Sequence, residues 1–120
     1  MKETLNRLRK NKEFKRVYKF GNKVVAKYTV LFYIQNDLGY NRAGFSISKK
    51  VGNSVRRHRI KRLYFESLRR LNPNLKRGYD LVIVARKSAM RMDYHSGKKE
   101  LESMLKRAHL WAYEGDKKAK

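Results

Sequence analysis

Cysteine is absent from this chain, and its absence removes several kinds of protein at once. There is no disulfide scaffold, no thiolate nucleophile and no zinc ribbon or knuckle, and the chain suits a reducing compartment. Acidic residues are scarce as well: 10 Asp and Glu stand against 32 Lys and Arg in 120 residues, a formal charge of +22. No apolar run approaches the ~20 residues needed to span a bilayer, and the N-terminal stretch lacks the apolar core of a signal peptide. The expectation is a soluble, cytoplasmic protein with no membrane partner. Proline occurs once, while 41% of residues are hydrophobic and 12% aromatic, so this is no disordered basic tail: there is material for one core in a chain of one-domain length. Only the ends, 1 to about 9 and 114 to 120, look too polar to pack and are expected to be flexible.

The shortage of acid also bears on chemistry. A protein nuclease working with two metal ions needs several carboxylates converging on one site. Here Glu66, Glu100 and Glu102 each fall where basic residues on their own helix can pair with them. General acid-base cleavage of RNA suits paired histidines, yet His58, His95 and His109 lie on different elements. No catalytic residue and no metal-ligating set is expected in the protein itself. A charge of +22 is self-repelling unless a polyanion neutralises it, which favours nucleic acid as the partner.

What is present is concentrated between Lys49 and Arg62, KKVGNSVRRHRIKR. A Gly-Asn turn, basic on both sides, runs into a helix start with no acidic residue before Glu66. A helix N-terminus already offers unpaired backbone N–H groups and partial positive charge. Arg56, Arg57, Arg59, Lys61 and Arg62 add full charges and bidentate donors, a combination that holds phosphates.

Around this segment the patterning predicts an α+β sandwich in the order α-β-β-α-β-α, helices packed on a small sheet. Asn11 is placed to cap a first helix with Phe14, Val17 and Tyr18 on one face, stopped by Gly21. YTVLFYIQ (28–35) and Arg42–Ser48, separated by turn residues, read as an antiparallel hairpin. In the second run Ala43, Phe45 and Ile47 alternate with Gly44, Ser46 and Ser48, giving one apolar face and one small, polar face. A second helix, roughly 55–71, carries Ile60, Leu63, Tyr64, Ser67, Leu68 and Leu71 as a core stripe, with His58, Arg62, Phe65 and Arg69 opposite. YDLVIVAR is a buried central strand with a parallel neighbour, and a last helix covers about 94–113.

Aromatic rings beside cations make a sequence-tolerant platform for unstacked bases. The residues alone therefore indicate a module binding structured RNA with a single-stranded extension. The runs NKEFKRVYKFG, GFSISKKVGNSVRRHRIKR and GYDLVIVAR, in that order and within about Leu8 to Arg107, resemble the protein subunit of bacterial ribonuclease P. That family carries an Arg-Asn-Arg element on its second helix; Arg57 and Arg59 match it, His58 takes the central place, and Phe65 stands where Arg is common.

The resemblance implies a division of labour. A large RNA subunit performs the hydrolysis of precursor tRNA with Mg²⁺ bound mainly by that RNA and no organic cofactor, while the protein, in a 1:1 holoenzyme, binds both this RNA and the 5′ leader. Carried over residue by residue, the catalytic RNA meets Lys49, Lys50, Asn53, Arg57, His58, Arg59, Lys61 and Arg62. The leader runs in a cleft between the first helix and the sheet, against Phe14, Tyr18 and Phe32, with Ser46 and Ser48 as a polar floor and Arg86 and Lys87 on phosphates. The resemblance also implies a ribosomal-protein-type fold with a left-handed βαβ crossover, an exception to the usual rule. Two other readings stay open: a structural ribosomal or rRNA-binding protein, and a duplex-DNA binder using helix two. The latter needs another helix just upstream, where the pattern is that of a strand.

Overall fold

Apolar positions at helical spacing open the fold. The computed structural model describes residues 5–112, and its first helix, α1 (Asn11–Phe20), buries Val17 and turns Phe14 toward the sheet. Its start is not capped by Asn11, which is the first helical residue. The carboxylate of Glu13 instead accepts the backbone N–H groups of Arg9 and Lys10, both at 3.0 Å, satisfying donors that the helix leaves unpaired. Gly21 ends the helix as expected, its N–H bonded to the Val17 carbonyl. Glycine is required there by space: a Cβ would sit 2.5 Å from the Val17 carbonyl oxygen and 2.7 Å from that of Tyr33.

The sheet contains β1 (Asn6–Arg7), β2 (Asn22–Val25), β3 (Thr29–Gln35), β4 (Arg42–Ser46) and β5 (Tyr79–Ala85), in the spatial order β1-β4-β5-β3-β2. Two expectations are corrected by this order. β3 and β4 do not form a hairpin, because β5 lies between them, antiparallel to β3 and parallel to β4. The hairpin partner of β3 is β2. The N-terminal stretch is also not all loose: β1 pairs with β4, and Leu5 and Leu8 are buried. Residues 1–4 and the expected flexible end at 114–120 lie outside the described residues. The parallel neighbour of a central β5 is as the sequence predicts.

Buried Asn41 fixes how β5 enters the sheet. Its Nδ2 donates to Asn72 Oδ1 and to the Lys76 carbonyl, and its Oδ1 accepts from the Tyr79 N–H. The start of β4 is thereby joined to the turn that feeds β5, and no polar group of this buried amide is wasted.

Strand alternation then sorts the core into two. Leu31, Ala43, Leu81, Ile83 and Ala85 face α2 (Ser54–Leu71) and α3 (Tyr94–Arg107), which add Ile60, Tyr64, Leu68, Leu101, Met104 and Leu105. The Tyr64 hydroxyl hydrogen-bonds with Thr29 Oγ1 at 2.8 Å, and burial pushes its pKa well above the usual range. Val82, Phe32, Ile34 and Val84 face the other way, toward Phe14 and Val17 of α1. The last helix is shorter than its pattern suggests. It stops at Arg107, and His109 follows with φ of 62°, so buried Trp111 packs from a bridge to Leu75 rather than from a helical face.

Candidate nucleic-acid interface

β4 leads straight into the basic segment. Ser48 accepts the Lys50 N–H and starts a 3-10 turn, Lys49–Val51, that buries Val51 and leaves both lysines exposed. Gly52 follows with φ of 154°, a region open essentially to glycine, and a Cβ there would also press on the Arg56 side chain at 2.7 Å. Asn53 then caps α2 by accepting the Arg56 N–H at 2.9 Å. The first turn of α2 holds no acidic residue, so the positive end of the helix dipole is reinforced by cations instead of being offset.

The sequence-predicted residues of this segment divide by what they touch. Lys49, Lys50, His58, Arg59, Lys61 and Arg62 are exposed. Arg57 is half-buried, and its Nε donates to the Gly52 carbonyl at 3.2 Å, bracing the turn; Asn53 spends its side-chain oxygen on the cap. His58, Lys61 and Arg62 line a depression of about 300 Å³ together with Arg7, Phe65 and Glu66. Phe65 is not opposite the core stripe: it is half-buried, 6.2 Å edge-on from Phe45, with the Arg7 guanidinium 4.4 Å over its ring. Arg7 is a cation of this site that sequence reasoning missed. Only the pairing of two-residue β1 with β4 brings it there, and nothing local announces so short a strand.

On the α1 side of the sheet, the registers define transverse rows. Gly44, Val82, Phe32 and Lys23 form one, and Ser46, Val84, Val30 and Val25 the next. Phe14 lies on Gly44, where any Cβ would collide with the ring. Tyr18 meets Phe32 edge-on at 5.0 Å, and the Lys23 ammonium stands 6.0 Å from the Phe32 ring. Phe14, Tyr18, Phe32 and Ser46 are thus brought to one face, which stays partly open: Tyr18 is 40% exposed and Val25 48%. Ser48 lies past the strand end and is engaged in the turn. Arg86 and Lys87 lie at the end of β5, where the Arg86 Nη1 donates to the Ala26 carbonyl and Lys87 is exposed. Since β4 and β5 are parallel, this end of the open face and the basic start of α2 are the same end of the molecule.

The other end of the face is sealed. Arg42 donates from Nε and Nη2 to the two oxygens of buried Asp80, each at 2.8 Å, and from Nη1 to Glu13 at 2.9 Å. Hydrogen bonding to Asp80 raises the Arg42 pKa, while the backbone N–H groups of Lys10 and Arg9, with Arg42 beside them, hold Glu13 below the usual carboxylate range. Four further acids are engaged as well. Glu66 pairs with Arg69 and Glu102 with Lys106, as their spacing suggests, and Asp93 caps α3. Glu100 departs from expectation: it accepts the Tyr28 backbone N–H at 3.0 Å. Among the described residues no group of three or more His, Cys, Asp or Glu is placed to hold a metal ion, and no helix is long and apolar enough to cross a membrane.

Fold and charge together define a class: a small, strongly basic α+β protein with a half-open mixed sheet whose exposed end adjoins a cationic helix start. Within that class, the chain belongs to the ribonuclease P protein family, whose model, described as Ribonuclease P, matches residues 2–109. It is 49% identical over 111 residues to a ribonuclease P protein component of Caldanaerobacter subterraneus subsp. tengcongensis, covering 92% of this chain and 96% of the relative. Solved structures agree. A Staphylococcus aureus RNase P protein mutant with defective mRNA degradation activity superposes with a TM-score of 0.82 at 33% identity, over 88% of this chain and 89% of that one. The RNase P protein of Thermotoga maritima gives 0.78 at 30% identity, over 85% and 96%.

Proposed function

We propose that this chain works as the protein subunit of a cytoplasmic 1:1 ribonuclease P ribonucleoprotein, binding the catalytic RNA and the 5′ leader of precursor tRNA. The observation that carries this is the meeting, at one end of the sheet, of an open aromatic face and an acid-free helix start. The exposed cations from Lys49 to Arg62 suit a folded RNA's phosphates. Phe14, Tyr18 and Phe32, flanked by Lys23, suit the unstacked bases of a single strand. A precursor offers both kinds of surface, whereas a structured rRNA needs only the first.

In this reading the protein supplies binding and orientation. Asp80 and Glu13 are tied to Arg42, Glu66 to Arg69 and Glu102 to Lys106, and no three His, Cys, Asp or Glu of the described residues gather to hold a metal, so in this reading the RNA would hold the Mg²⁺, which supplies the hydrolytic chemistry. Cations of the protein replace part of the ionic screening between two polyanions. The test is reconstitution with a bacterial ribonuclease P RNA: the protein lowers the Mg²⁺ needed for cleavage of precursor tRNA and has no activity alone. A second reading, RNA degradation by the protein itself, takes its motive from the mRNA degradation activity named for the Staphylococcus aureus relative. RNA-free cleavage by rigorously purified protein, abolished by a single carboxylate or His substitution, would favour it and overturn the first. Stoichiometric co-sedimentation with ribosomes, with precursor processing unaffected, would point to rRNA instead.

A further inference from the structure

A second concave surface lies just past the open face, at the end where the strands run out. Lys27 and Tyr28 from the β2–β3 turn meet Lys87, Ser88, Met90 and Arg91 from the 3-10 turn Lys87–Arg91, enclosing about 330 Å³. The two turns are joined: Ser88 Oγ donates to the Lys27 carbonyl at 2.6 Å, and the Arg86 N–H donates to the Tyr28 carbonyl at 2.8 Å. The lining is mainly apolar, supplied by the Tyr28 ring, Met90 and the carbon stems of the long cations. Met90 is 36% exposed, an open thioether in a site that carries three cations and no acid.

We propose that this pocket seats one unpaired base of the precursor's leader, with Lys27, Lys87 and Arg91 taking the adjoining phosphates. The inference rests on the leader reading above and extends it to residues outside the sheet. Charge complementarity selects a polyanion, and the apolar floor selects a flat uncharged ring over a bare phosphate. Continuity selects the leader. Tyr28 packs on the α2 and α3 side of the sheet, but Lys87 of the pocket directly follows Arg86 at the end of β5, and the row Ser46, Val84, Val30 and Val25 leads from Phe32 toward that end. A single strand leaving the Phe32 ring along this floor reaches Arg86 and then the pocket.

The test uses the holoenzyme reconstituted with ribonuclease P RNA and precursor tRNAs whose leaders lengthen one nucleotide at a time from none. Affinity is expected to rise in two separable increments, the later one at least about fivefold if it reflects a seated base. Met90→Asp should delete the later increment and keep the earlier; Phe32→Ala should delete the earlier. An abasic nucleotide at the later position should mimic Met90→Asp in the wild type and add nothing in that variant. Should Met90→Asp unfold the protein, Lys27→Ala with Lys87→Ala, both exposed, must show the same length dependence. Loss of affinity that is equal for every leader length and for mature tRNA, or no loss at all, overturns the pocket assignment. If Phe32→Ala remains leader-selective in that case, only the pocket falls; if it too acts equally on mature tRNA, the leader reading itself has failed.

Discussion

The two faces of the sheet are made by the same strands yet are finished differently. β5 sends Leu81, Ile83 and Ala85 to one face and Val82 and Val84 to the other. The first is closed by α2 and α3, of 18 and 14 residues. Among the described residues the second has only α1, of 10 residues, about 15 Å of helix, anchored at one end by the Glu13, Arg42 and Asp80 network. Cover is therefore a matter of helix length and anchorage, and what α1 leaves uncovered is the candidate groove. Leu31 and Phe32 put the contrast within adjacent residues. Leu31 is fully buried on the closed face, so Leu31→Ala removes methyl groups and leaves a cavity costing about 2–5 kcal/mol of stability. Thermal unfolding should show a large fall in Tm, and affinities for precursor and mature tRNA should decline together.

Phe32→Ala is expected to behave in the opposite way. The ring is half-buried and meets Tyr18 edge-on, and stacking on a leader base is worth about 1–3 kcal/mol. Binding to precursor tRNA should weaken by that amount while mature tRNA binds as before, with a smaller fall in Tm than for Leu31→Ala. Equal losses for both tRNAs with a Tm drop matching Leu31→Ala would erase the distinction between the faces.

How much of this was legible in the sequence depended on whether the determinants were local. The core stripe of α2 was, because Ile60, Tyr64, Ser67, Leu68 and Leu71 repeat at helical period and are all buried. The continuous apolar run of β5 likewise signalled a central strand. The β3–β4 pairing was misread because proximity in sequence favours a hairpin, and nothing between residues 35 and 42 reveals that a strand beginning at Tyr79 will insert there. β1 and β2 went unseen since Asn6–Arg7 and Asn22–Val25 are short and largely polar. The same limit governs the site. Lys49 to Arg62 could be picked out as one run, and the groove rings through the resemblance, but Arg7 beside His58, or Lys27 beside Met90, exists only once the strands are paired.

The smallest expected effect concerns α2, and it tests whether the basic end and the open face are separate surfaces. Arg57 is a poor probe because it braces the Gly52 carbonyl, so its loss mixes turn stability with charge. Lys61 and Arg62 are exposed, and Lys61→Ala and Arg62→Ala should leave Tm nearly unchanged, as most surface substitutions do. Each removed phosphate contact should make the salt dependence of catalytic-RNA binding shallower by about 0.7–0.9 in log–log slope. On the proposed assignment these side chains address the catalytic RNA and not the leader, so the weakening should be the same whether or not a leader is present, the reverse of the Phe32→Ala pattern. A leader-dependent loss would mean that the precursor crosses α2 and that the two surfaces are one. An unchanged slope with unchanged affinity would reduce this face to solvated charge, leaving the open sheet as the RNA contact.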